Sequence, residues 1–142
     1  MATTRTAAAH WEGSLMEGSG EVTLTSSNIG TYAVSWPSRA EKANGKTSPE
    51  ELIAAAHSTC YSMALSHALA QAGTPPTTID TTAEVTFQPG TGITGIALSV
   101  VGAVPGITAE DFEKAAQDAK ENCPVSAALK AVPITLETSF SG

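Results

Sequence analysis

The segment from Ser48 to Gly73 constrains this chain more than any other. Ser48 is a good helix N-cap, Pro49 suits the first helical position, and Glu51 completes an S-x-x-E capping box. The run ELIAAAHSTCYSMALSHALAQAG then continues to Gly73, a C-terminal stop before Thr74-Pro75-Pro76. A helix of roughly 24 residues is ~36 Å long at 1.5 Å per residue. Leu52, Ala56, Cys60 and Met63 fall on one stripe, while Ile53, Ala64 and Leu65 lie off it. A helix apolar on several sides is buried on several sides, so the rest of the chain must wrap around it.

With 142 residues there is room for one domain, 1–142, but not for two independent cores. Hydrophobic residues make up 42% against 15% charged, which excludes disorder. Aromatics are few, so the core closes with small side chains, through close helix contacts or a subunit interface. Before the helix, Ala9 to Leu15, Glu21 to Ser26 and Thr31 to Trp36 alternate in the strand period and read as an antiparallel meander. The polar stretch RAEKANGKT, with Arg39, Asn44 and Gly45, reads as a loop. After the helix, Thr78 to Gln88 and Gly95 to Val104 form a hairpin. Thr108 caps a helix through Glu121, Asn122-Cys123-Pro124 opens a short one to Lys130, and Ile134 to Phe140 is a last strand. The order βββ-α-ββ-αα-β predicts an α+β fold, antiparallel sheets with a long central helix and no βαβ winding. Gly90, Gly92 and Gly95 match a dinucleotide-binding G-x-G-x-x-G, but that fingerprint must open a helix. The β-branched IALSVVGAV follows instead, so the glycines are assigned to a hairpin loop and no cofactor is expected.

The net charge of −7 comes from 14 acids against 7 bases, with no basic run. Nucleic acid and anionic membranes are therefore poor partners. No apolar stretch approaches the ~20 residues of a membrane span, and the N-terminus lacks the apolar region of a secretory signal. A cytoplasmic protein is expected. The two cysteines are 63 positions apart and form no C-x-x-C pair. In a reducing compartment a permanent structural disulfide is not expected. Two inert, buried thiols are the plain alternative.

Chemistry enters with what surrounds them. Burial alone raises a thiol's pKa and leaves it unreactive, so a reactive Cys60 needs a nearby cation. Arg5 lies near the terminus, which leaves Arg39, otherwise an ordinary solvated charge. A carboxylate could hold Arg39 inward through a bidentate pair, and Glu50 is the candidate, otherwise a dipole-stabilising acid. Cys123, before Pro124 at a helix start, sits where a thiolate is favoured. A buried thiol with a second at a helix start suits a peroxidatic and resolving couple, provided their Cα atoms approach within ~7 Å.

The stretches SPEELIAAAHSTCYSMALS, SRAEK, TTIDTTAEV and NCPVS, from His10-Trp11-Glu12-Gly13 to the last strand, resemble the OsmC branch of the OsmC/organic hydroperoxide resistance family. The resemblance implies an intertwined homodimer with active sites at the subunit interface and cysteine-based reduction of organic hydroperoxides. By position, Cys60 corresponds to the peroxidatic cysteine, Cys123 to the resolving one, Arg39 to the activating arginine and Glu50 to its partner. It also implies an external dithiol such as dihydrolipoamide as reductant. His57 is typical of the OsmC branch, while Ser48 and Tyr61 stand where Asn and Phe are common. Two alternatives belong to other classes: a metal site of His57, Cys60 and Cys123, and a non-catalytic stress-related binding module. Helix geometry adds one expectation. Glu50 and Cys60 lie ten positions apart, about 15 Å along one helix and on different faces. Glu50 should therefore serve the Cys60 of a second subunit.

Overall fold

The computed structural model describes residues Met1–Gly142, which divide into two compact units, Met1–Leu52 and Ile53–Gly142. In the first unit, β1 (Ala8–Glu12), β2 (Ser19–Thr23) and β3 (Thr31–Val34) form an antiparallel sheet in the order β1-β2-β3. His10 faces Glu21, which faces Ala33. The predicted meander is present with shorter strands. β1 stops at Glu12 because Gly13 turns to φ +89°, and the amide of Gly18 then bonds back to the Ser14 carbonyl at 2.8 Å.

Arg39 does not lie in a loop, as its polar surroundings suggested. It occupies the last turn of a short helix, α1 (Trp36–Ala40). The Ser35 hydroxyl accepts from the Ser38 amide at 3.2 Å, and Pro37 stands in the first turn, where its missing N–H costs nothing. These two signals outweigh the alternation that ran the strand on to Trp36.

The long helix, α2, spans Pro49–Gln71. Ser48 caps it, accepting from the Glu51 amide at 3.2 Å, but the Glu51 carboxylate accepts from the Thr47 hydroxyl instead of returning to the cap backbone. At the other end Gly73 adopts φ +86°, and the amides of Thr74 and Gly73 bond the carbonyls of Leu69 and Ala70 at 2.9 and 3.0 Å. That is a Schellman closure, which needs a residue free to enter the left-handed region.

In the second unit β4 (Thr78–Gln88), β5 (Gly92–Ala103) and β6 (Ile134–Ser141) form a sheet in the order β4-β5-β6. β4 and β5 make the expected antiparallel hairpin, closed by a turn at Gly90, while Gly92 and Gly95, expected in the loop, lie in β5 opposite Gln88 and Thr86. β6 runs parallel to β5, pairing Leu136 with Leu98. The sheet is therefore mixed, and the expectation of antiparallel sheets without βαβ winding is corrected there. Parallel neighbours need a crossover, and α3 (Ala109–Asn122) with α4 (Pro124–Ala128) supplies it.

The core of this unit lies on one face of β5. Ile96, Leu98 and Val100 are buried there against Tyr61, Leu65 and Leu69 of α2 and Phe112, Ala116 and Ala119 of α3. Gly102 continues the same face without a side chain. A Cβ there would lie 2.5 Å from the ring of Phe112, which stacks on Phe140 at a centroid distance of 5.0 Å. His57, Tyr61, Leu65 and Leu69 recur every fourth residue and are all buried, as one helix face requires. Ala55, Ala56, Thr59 and Met63 point elsewhere and are exposed, Met63 to 67%. Within one chain α2 is thus covered on one side only, not on several. No helix is long and apolar enough to cross a membrane.

Candidate active site: a thiol pair and an arginine–carboxylate pair

Cys60 projects from the middle of α2 and is partly buried, whereas Cys123, between α3 and α4, is 0% exposed. Both are free thiols and stand within hydrogen-bonding reach of each other. Sixty-three positions of sequence are thereby closed by the packing of α2 against the α3–α4 corner. Burial pushes the Cys60 thiol up, and the neighbouring Cys123 adds to this, while a bond from the Val125 backbone opposes it. Burial also acts upward on Cys123. There it is outweighed by the Ser126 amide, the Cys60 thiol, the Ser126 hydroxyl and the Val125 amide, which leave Cys123 below the ordinary thiol value. No side-chain cap of strict hydrogen-bond geometry closes on α4. The amides nevertheless lie close enough to the sulfur to favour its charged form.

The second arrangement lies in the Met1–Leu52 unit. Arg39 donates from Nε to both carboxylate oxygens of Glu50 at 3.0 and 3.2 Å and from Nη2 to Oε2 at 2.9 Å. Glu50, in the first turn of α2, is only 7% exposed. A charge so buried requires a partner, and the planar guanidinium supplies two parallel bonds to it.

His57 and Ser126 complete the surroundings of the thiols. His57 Nε2 lies 2.6 Å from Ser126 Oγ, and both residues are buried. Ser126 was not singled out in the sequence. The available signal was its place three residues after Cys123, where the first turn of a helix brings its amide and hydroxyl back towards the cap. His57 Nε2 is engaged by Ser126, and His57, Cys60 and Cys123 are not arranged as a metal-binding group. No group of three or more His, Cys, Asp or Glu side chains is arranged to hold a metal ion.

Fold and site together define a two-cysteine α+β protein with one thiol half-open and the other enclosed. The same fold occurs in an organic hydroperoxide resistance protein OsmC from Legionella pneumophila, at a TM-score of 0.70 and 22% identity over 99% of this chain and 100% of that one. It occurs again in an OsmC-like protein from Mycoplasma pneumoniae, at a TM-score of 0.75 and 11% identity over 100% of both chains. A family model described as OsmC-like protein matches residues 42–137. Peroxiredoxin OsmC of Escherichia coli is 48% identical over 132 residues, 91% of each chain. The chain belongs to the OsmC-like family.

Proposed function

We propose that this protein is a thiol-dependent peroxidase that reduces organic hydroperoxides through Cys60 and Cys123. The observation that carries the reading is the thiol pair itself, two free cysteines within reach of each other, one partly open and one enclosed. The Cys60 thiolate attacks the terminal oxygen of the hydroperoxide. An S–O bond forms, the O–O bond breaks, and the alkoxide takes up a proton to leave as an alcohol. Cys123 then attacks the sulfur of the Cys60 sulfenic acid, forming the disulfide and releasing water. An external dithiol of the dihydrolipoamide kind restores both thiols by exchange, which suits a reducing compartment such as the cytoplasm.

Within one chain, burial and Cys123 both hold the Cys60 thiol up, so a cation must come close. The Arg39–Glu50 pair is the source proposed. Glu50 stands about 15 Å before Cys60 along α2, which favours service to the Cys60 of a second copy. The exposed Ala55, Ala56, Thr59 and Met63 face of α2 supports a homodimer built on that helix. In that assembly the two compact units belong to a single domain per chain.

Peroxide consumption with dithiothreitol or dihydrolipoamide as reductant tests the function. Cumene hydroperoxide should be turned over faster than hydrogen peroxide, and the activity should vanish in Cys60→Ser. Equal, slow consumption by the parent and by Cys60→Ser would refute the assignment.

A further inference from the structure

His57 and Ser126 have no part in the cycle as written, yet they form a buried contact between two polar side chains in the Ile53–Gly142 unit. His57 is 0% exposed and Ser126 4%, and Nε2 and Oγ stand 2.6 Å apart. The other ring nitrogen, Nδ1, is buried without a partner. That fixes the tautomer by physical argument. A buried N–H left without an acceptor is rarer than an under-used lone pair, so the proton sits on Nε2 and Nδ1 carries the lone pair. Burial also lowers the His57 pKa, which keeps the ring neutral. With His57 as donor, the Ser126 oxygen accepts. A hydroxyl has only one proton, and that proton is left free for another acceptor. One acceptor close by is the sulfur of Cys123, three residues earlier at the start of α4, whose thiolate the amide and hydroxyl of Ser126 and the amide of Val125 all favour.

We propose that His57 and Ser126 are a positioning pair for Cys123: His57 holds the Ser126 hydroxyl by its oxygen, so that its proton points at the Cys123 sulfur. The inference rests on the peroxidase reading and adds a division of labour to it, with one set of residues serving Cys60 and another serving Cys123. In the closing step the Cys123 sulfur must give its electron pair to the sulfur of the Cys60 sulfenic acid. The S–S bond forms, the S–O bond breaks, and the departing hydroxide leaves as water with the proton that Cys123 gives up. A hydroxyl aimed at Cys123 stabilises the attacking thiolate. When an external thiol later opens the disulfide at Cys60, the same hydroxyl stabilises the sulfur that leaves.

Two measurements test the proposal independently. The first is thiolate absorbance at ultraviolet wavelengths against pH in the Cys60→Ser background, which reports Cys123 without needing access to it. Adding Ser126→Ala should move the midpoint to higher pH. His57→Leu should do the same, whereas His57→Gln, whose amide N–H can take the place of Nε2–H, should restore most of the original profile. The second is a single turnover with a dimedone-type trap and rapid mass analysis. Ser126→Ala and His57→Leu should close the disulfide at least tenfold more slowly and accumulate trapped Cys60 sulfenic acid. An unshifted thiolate profile together with parental closure in Ser126→Ala would overturn the proposal. So would a His57→Gln variant as impaired as His57→Leu in both readouts. If His57→Leu fails to fold by circular dichroism, Ser126→Ala alone decides. If even the parent forms no sulfenic acid, the peroxidase reading fails, and the absorbance titration still judges the pair.

Discussion

Arg39 and Glu50 are joined by three hydrogen bonds of 2.9 to 3.2 Å, with the carboxylate almost wholly enclosed. The geometry uses the fork of a guanidinium, which an ammonium cannot reproduce. If this pair supplies the cation for Cys60, Arg39→Ala should slow the reaction of Cys60 with hydroperoxide by on the order of 10²–10³, the loss typical of a charge-stabilising donor. Arg39→Lys should recover little of it. Glu50→Gln should fall between, because it keeps the shape of the acceptor and loses its charge. Single-turnover oxidation of Cys60 measures all three, and parental rates in Arg39→Ala would remove the pair from the mechanism.

The two thiols should fail in different ways. Cys60→Ser should show no turnover and no peroxide-dependent mass change. Cys123→Ser should react once and carry one added oxygen, then accumulate further oxygens as the unresolved sulfenic acid is over-oxidised. Intact-mass analysis after peroxide treatment distinguishes them. An unmodified Cys123→Ser beside an oxidised Cys60→Ser would reverse the assignment.

Composite sites can be tested by complementation. Cys60→Ser and Glu50→Ala, each inactive alone, are mixed, unfolded and refolded together. A mixed dimer then holds one intact site, with Cys60 from one chain and Glu50 from the other. Activity should return to the mixture. Mixed dimers that form by mass spectrometry but stay inactive would refute the shared-site arrangement.

A fourth expectation concerns stability alone. A methyl at position 102 would meet the Phe112 ring at 2.5 Å, and that ring is stacked on Phe140. Gly102→Ala should cost about 1–3 kcal/mol, the usual range for overpacking a core. Adding Phe112→Leu should cost less than it does in the parent. Denaturant unfolding of the four forms gives the comparison, and strict additivity would mean that the two sites do not press on each other.

Sequence reasoning reached some of these features and could not reach others. Ser48, Pro49 and Gly73 announce both ends of α2 because capping is local chemistry, and the alternation of β4 is read off residue by residue. The direction of β6 is not local. Ile134 to Phe140 alternates identically whether it pairs parallel or antiparallel, and only the crossover through α3 and α4 decides. The helix carrying Arg39 was legible in Ser35 and Pro37 but was masked by the strand period running into Trp36. The Arg39–Glu50 contact followed from charge and from the need to hold a guanidinium. The approach of Cys60 to Cys123 and the contact of His57 with Ser126 depend on how α2 meets the α3–α4 corner, which spacing in the chain does not encode.

If Cys60 and Cys123 act as proposed, the unequal exposure of the two sulfurs also sets the kinetic order of the whole cycle. Cys123 is closed to solvent and Cys60 is not, so hydroperoxide and external thiol must visit the same atom in turn. Neither can act while the other holds it. Steady-state rates should therefore obey a ping-pong law, with parallel double-reciprocal lines as the dithiol concentration is varied. Any captured mixed disulfide should sit on Cys60, with Cys123 departing as the leaving thiolate. Intersecting lines would mean that the two substrates can occupy the protein together.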